Sequence, residues 1–111
     1  MADYQLIVIG AGPGGYEAAL RAARLGKKVA VVERREAGGT CLNRGCIPTK
    51  TLLHSSAIYR DAKNGAHYGI HADGIRANMT EIFAYKREIS QKLSSGIEAL
   101  FKTSKIDLLR G

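Results

Sequence analysis

Several things are scarce in this 111-residue sequence, and each scarcity excludes something. There are only two cysteines, so one chain alone cannot supply a four-thiolate metal centre. No apolar run is long. The stretch 6–9 is too short for the core of a signal peptide or for a membrane span, and the residues ahead of it carry no basic cluster. The expectation is a soluble, cytoplasmic chain with no membrane partner. No Ser-His-Asp or paired-carboxylate pattern is present, nor any internal repeat or low-complexity segment.

The chain is basic, with 17 Lys and Arg against 10 Asp and Glu and a net charge of +7. Such a balance raises nucleic acid as a partner. The basic residues are scattered, however. Pairs such as Lys27-Lys28, Arg34-Arg35 and Lys86-Arg87 never grow into a run or a stripe with interleaved aromatics. The expectation is no nucleic-acid partner. The length allows one domain, and the apolar fraction of 45% is enough to give it a core.

The chemistry concentrates in 38–50, Gly-Gly-Thr-Cys-Leu-Asn-Arg-Gly-Cys-Ile-Pro-Thr-Lys. Cys41 and Cys46 stand five residues apart. On an ideal helix five residues rise about 7.5 Å and turn about 140°, which sets the Cα atoms roughly 8.6 Å apart. A disulfide needs less than about 7 Å. A bond between them requires a distorted turn, which Gly45 and Pro48 permit. A strained bond in so short a loop is a poor staple, worth about 2 kcal/mol, but is easily reduced. Two unrelated buried thiols are the plain alternative; the surrounding glycines, proline and lysine favour redox chemistry.

Upstream, an apolar run (residues 4–9) ends in glycine, as a buried parallel strand would. Gly10-Ala11-Gly12-Pro13-Gly14-Gly15 follows, then an Ala- and Leu-rich helix over 16–25 stopped at Gly26, then a second strand over 28–33 ending in Glu33. Strand, glycine turn, helix, strand and acid is the dinucleotide fingerprint. Gly10 makes the tight turn, Gly12 admits a pyrophosphate, and Gly15 lets the helix pack on the strand. The helix start presents free N–H groups to phosphate. Glu33 can accept from a ribose hydroxyl and would repel a 2′-phosphate. The fingerprint alone does not separate FAD from NAD; a thiol pair just downstream makes a flavin the economical choice.

Thr40 is expected to cap a helix running, with a distortion, from about residue 41 to about 63. That cap position would favour a thiolate in its first turn. Lys50, one turn after Cys46, can share its face. His54 follows Lys50 by a turn, while His67 and His71 fall in loops; none is assigned catalysis. Turns are expected at 64–65 and 68–69, with a loop or short extended piece at 70–74. A capping box at 78–81 opens a long helix to about residue 103. Its stripe of Ile82, Phe83, Ile89, Leu93, Ile97, Leu100 and Phe101 is expected to pack on the cysteine helix, with Gly96 at a close contact. A third strand is expected over 106–110.

The segments 10–16, 31–33 and 38–50 resemble the flavoprotein pyridine nucleotide-disulfide oxidoreductases over the whole chain. Leu42, Ile47 and Pro48-Thr49-Lys50 are most similar to its dihydrolipoyl dehydrogenase branch, with the mercuric and glutathione reductase branches as alternatives. Thr49 stands where the family most often has serine. The resemblance implies an α/β fold: a Rossmann-like FAD-binding half with a parallel sheet, plus a long two-helix segment.

It implies FAD held by Gly10, Gly12, Gly14, Gly15, Glu33, Gly39, Thr40, Cys41, Cys46 and Lys50. In that scheme Cys41 is the interchange thiol, Cys46 the flavin-proximal thiol and Lys50 the lysine near the ring. Electrons would run from a lipoamide-type substrate through the Cys41–Cys46 pair and FAD to NAD. Family members are homodimers several times longer. The expectation is that residues 1–111 form the amino-terminal part of a discontinuous FAD-binding domain. The NAD and dimerisation domains, with their catalytic histidine, would be absent and the chain inactive alone. The alternative is a non-enzymatic module that self-associates.

Overall fold

Three short apolar runs become three parallel strands, and helices joined by turns and one irregular stretch over 70–78 make up the rest of the described residues. In the computed structural model, which describes residues 3–111, the order is β1 (Leu6–Ile9), α1 (Pro13–Arg24), β2 (Val29–Glu33), α2 (Gly39–Asn43), α3 (Cys46–Lys63), a 3₁₀ turn (Gly65–Tyr68), α4 (Met79–Thr103) and β3 (Asp107–Arg110). Met1 and Ala2, where the sequence reading begins, lie outside the described residues. The sheet order is β1-β2-β3, with Val31 of β2 in register with Val8 on one side and Leu108 on the other. The molecule is α/β with a parallel sheet, as expected. No helix is long and apolar enough to cross a membrane among the described residues.

The core lies on one face of the sheet. Ala19 and Leu20 of α1, Val29 and Val31 of β2, Phe101 of α4 and Ile106 are buried there, with Val8, Ile97 and Leu108 packed against them. The alternation along a strand sends Ile7, Ile9 and Leu109 to the opposite face. These are exposed, Ile9 by 88%. The fully buried strand expected of β1 is thus only half realised, because α1 and α4 both lie on the same side. Parallel sheets ordinarily carry cover on both faces.

Asn78 caps α4, its side-chain oxygen accepting from the Glu81 N–H at 3.1 Å. The far end of α3 (Ile58, Tyr59, Ala62) meets the near end of α4 (Ile82, Tyr85), so the two helices form an antiparallel hairpin. Its seam uses small residues, with Thr51, Ser90 and Ser94 buried. The hairpin projects from the sheet and makes the molecule 68 × 25 × 18 Å. Its radius of gyration is 19.5 Å, against about 13 Å for a compact chain near this length.

Two expectations about α4 need correction. Phe83, Leu93 and Leu100 are exposed, because the apolar stripe is wider than α3 can cover. Gly96 is not a close contact; a Cβ built there would meet nothing within 4 Å. Phe101, 1% exposed, is the residue that docks α4 on the sheet. Phe101→Ala should cost about 3–5 kcal/mol, read as a lower urea midpoint, and Leu100→Ala much less. Equal losses for the two would mean that α4 does not dock through Phe101.

Candidate functional site

The site begins where β1 ends. Gly10 has φ of 101°, and its N–H donates to the Val32 carbonyl at 2.7 Å. The turn leads straight into α1, with Pro13 in its first turn. Tyr16 is the first residue to donate back, to Gly12 O at 2.8 Å. The Gly14 and Gly15 N–H groups therefore face outward at the positive end of a twelve-residue helix. A Cβ on Gly15 would overlap the Gly10 carbonyl oxygen and come within 3.3 Å of Val8 Cγ1. Gly15 packs the helix on the strand, the task expected of it.

Glu33, at the end of β2, faces this turn. Its Oε2 accepts from the Ala11 N–H at 2.9 Å, and its Oε1 accepts from the Arg35 N–H at 2.9 Å. These bonds, the one from Ala11 foremost, hold its carboxyl below the ordinary glutamate range, against a small opposing effect of burial. A lowered folded value means the stabilisation is whole above the unfolded pKa of about 4.3. It is lost as pH falls through the lower folded value. Glu33→Gln should therefore lower the denaturant midpoint near neutral pH, and the gap to the native chain should close on acidification. A gap independent of pH would refute this.

The cysteine turn sits directly against the glycine turn. Gly38 donates to the Ala11 carbonyl at 2.7 Å. Gly39, at φ of 63°, approaches so closely that a Cβ would lie 2.7 Å from Gly12 Cα. The helix expected from about residue 41 is two helices. The five-residue α2 carries Cys41, and α3 opens on Cys46. Gly45 breaks them, with φ of −132° and ψ of −101°. Pro48 is no part of the break; it sits in the first turn of α3, where a missing N–H costs nothing. Thr40 is not a cap. The cap of α2 is Gly38, in the left-handed region, and Thr40 lies inside the helix, its carbonyl accepting from the Arg44 N–H at 2.7 Å.

The break turns the two thiols toward each other. Both cysteines are free thiols, Cys41 half-buried and Cys46 exposed. The neighbouring Cys46 side chain, then burial, pushes the Cys41 thiol up. The Cys46 backbone N–H and the Lys50 ammonium pull the other way without prevailing. The first-turn position is expected to favour a thiolate; at Cys41 the neighbouring Cys46 side chain and burial act the other way.

The structure thus brings together Gly10, Gly12, Gly14, Gly15, Glu33, Gly39, Thr40, Cys41 and Cys46, with the Lys50 charge reaching Cys41. His54, His67 and His71 are exposed. Two contributors escaped sequence reasoning. Ala11 is clamped on both sides, its N–H by Glu33 and its carbonyl by Gly38. Asn43 bonds two backbone carbonyls in the cysteine turn. Neither does chemistry through its own side chain, so residue type gave no signal for Ala11; the polar Asn43 between two cysteines did offer one.

Comparison with known proteins gives a consistent picture. The family model for pyridine nucleotide-disulphide oxidoreductases matches residues 4–111. A dihydrolipoyl dehydrogenase from Bacillus subtilis is 43% identical over 109 residues, which is 98% of this chain and 23% of that protein. One from Staphylococcus aureus is 46% identical over 105 residues, 95% of this chain and 22% of its own length. One from Zymomonas mobilis is 46% identical over 112 aligned positions, all of this chain and 24% of its own length. The chain spans about a quarter of the relatives it matches.

Proposed function

The chain belongs to the pyridine nucleotide-disulphide oxidoreductase family, and on that basis we propose that Cys41 and Cys46 are its two-electron dithiol–disulfide couple, working beside a bound FAD on a lipoamide-type substrate. One observation carries the reading: two free thiols, near enough for one to shift the other, on either side of a backbone break, on a turn that abuts a glycine-rich helix start.

The residues present fit FAD. The Gly12–Gly39 approach leaves no side chain between the two turns, and the α1 N–H groups are free for a pyrophosphate. Gly10, Gly12, Gly14 and Gly15 would hold the pyrophosphate, Glu33 the ribose, and Gly39, Thr40, Cys41, Cys46 and Lys50 the ring end. Glu33 already accepts two backbone N–H bonds, and each oxygen keeps a lone pair for a hydroxyl. When bound, FAD supplies a two-electron acceptor for the thiol pair.

The protein's own residues then account for the exchange. A thiolate of the dithiol substrate attacks Cys41 Sγ of the disulfide, and Cys46 leaves with the electron pair. The second substrate thiolate displaces Cys41, releasing the substrate as a disulfide. Two electrons and two protons pass from substrate to the pair. The Lys50 ammonium, whose charge reaches Cys41, favours negative charge on the pair.

The electron acceptor in this proposal is NAD, and the working assembly is a homodimer of a longer chain; the 111 residues alone are inactive. The test is reversible closure. Alkylation and intact mass should find two adducts after mild reduction and none after oxidation, and a preparation given FAD should retain one equivalent. Two adducts under both conditions would overturn the couple, and a preparation that stays colourless would overturn the cofactor.

The bare sheet face favours a second reading for the isolated chain, self-association through Ile7, Ile9 and Leu109. Size-exclusion chromatography separates the two: a colourless oligomer supports the second, a yellow monomer the first.

A further inference from the structure

Asn43 lies between the two cysteines, on the last turn of α2. Its side-chain amide uses both N–H groups. One donates to the Ala37 carbonyl at 3.1 Å and one to the Gly39 carbonyl at 2.9 Å. Ala37 is fully buried and precedes the cap of α2, so its carbonyl has no helical N–H to receive. The amide therefore bridges the residues on either side of Gly38, the residue whose own N–H is fixed to Ala11. Ala11 in turn is held by Glu33. A hydrogen-bonded ladder thus runs from Glu33 through Ala11 and the 37–39 loop to Asn43, two residues from Cys41 and three from Cys46.

We infer that Asn43 is a positioning residue for the thiol pair, its two amide bonds holding Cys41 at the orientation in which its sulfur meets that of Cys46. The inference rests on the proposed redox role of the pair. The physics is preorganisation. A segment with glycines at 38, 39 and 45 and a backbone break at Gly45 has many conformations to lose on closing a bond. A side chain that ties both ends of α2 to a fixed loop removes most of them in advance. No other side chain makes this bridge among the described residues: Arg44 pairs with Glu36 at 2.7 Å, out in solvent. Asparagine suits the task by its chemistry. Aspartate has no N–H to give two carbonyls, and glutamine is one methylene too long to serve both at these distances.

The experiment equilibrates the chain in glutathione buffers and reads the closed fraction by alkylation and mass. In the reaction the two thiols give up two electrons and two protons to oxidised glutathione, which leaves as two molecules of glutathione. Asn43→Ala should lower the equilibrium constant for closure by about tenfold, or about 30 mV for a two-electron couple. Asn43→Asp should lower it as much, and Asn43→Gln less. Glu36→Gln, which removes the exposed ion pair of the same turn, should stay within twofold of the native chain. Constants within twofold for Asn43→Ala and Asn43→Asp would overturn the inference. A native pair that never closes would instead overturn the redox reading itself. If both substitutions unfold the chain, side-chain amide exchange in the native protein decides: slow exchange of both Asn43 protons is required, and rapid exchange refutes the inference.

Discussion

Gly15→Ala should unfold the chain or cost it about 3 kcal/mol or more, while Gly14→Ala, one residue earlier in the same helix, should leave stability unchanged or slightly raised. The contrast follows from what each new methyl meets. At Gly15 it would occupy the place of the Gly10 carbonyl oxygen, with the Gly10 carbonyl carbon at 3.0 Å and Val8 Cγ1 at 3.3 Å. Two of these are backbone atoms at the end of β1, where Gly10 is fixed to β2 through Val32 O. They cannot move without parting strand from strand, which puts the penalty at or beyond the usual ~1–3 kcal/mol for overpacking. At Gly14 nothing lies within 4 Å, and its backbone is not left-handed. Alanine there is the better helix former by up to ~1 kcal/mol. Urea denaturation of both variants settles the matter. Equal stability for the two would mean that α1 does not pack on β1 at Gly15.

Cys46→Ala should abolish reversible closure of the pair completely. It should also make Cys41 react faster with an alkylating agent near neutral pH. The second effect is the more discriminating. In the native chain the Cys46 side chain is the first cause that pushes the Cys41 thiol up, so removing that sulfur removes the largest of those causes. The Lys50 ammonium, which pulls it down, stays in place. The thiolate fraction at a given pH then rises, and alkylation with it. A Cys41 that reacts more slowly in Cys46→Ala would show that the two sulfurs are not in contact.

Much of this was legible in the residues. The order from β1 to Glu33 follows from glycines whose tasks are steric, and the Gly15 task can be checked against the distances at one methyl. The break at Gly45 was legible too, since a pair five apart cannot meet on a regular helix. Thr40 was misread because a hydroxyl residue before an apolar stretch looks like a cap. The left-handed backbone of Gly38 starts the helix two residues earlier. Gly96 was misread because small residues in helices often mark a crossing, whereas the crossing here is made by Ser90, Ser94 and Thr51. That apolar surface could stay uncovered underlies the self-association alternative, but which sheet face stays bare was not legible. Alternation assigns faces to strands, but nothing in a strand's sequence says how many helices will come to cover it.

Tyr4 Oη donates to Asp107 Oδ2 at 2.7 Å, across 103 positions of sequence. Its neighbours Ile106 and Phe101 complete the hydrophobic cluster from the same end of the chain. A ribosome must therefore release nearly all of these residues before the sheet can close. Until then β1 and β2 wait as an unfinished pair. Assembly of this region is governed by partners far apart in sequence, and non-local parallel pairing of this kind is slow to form.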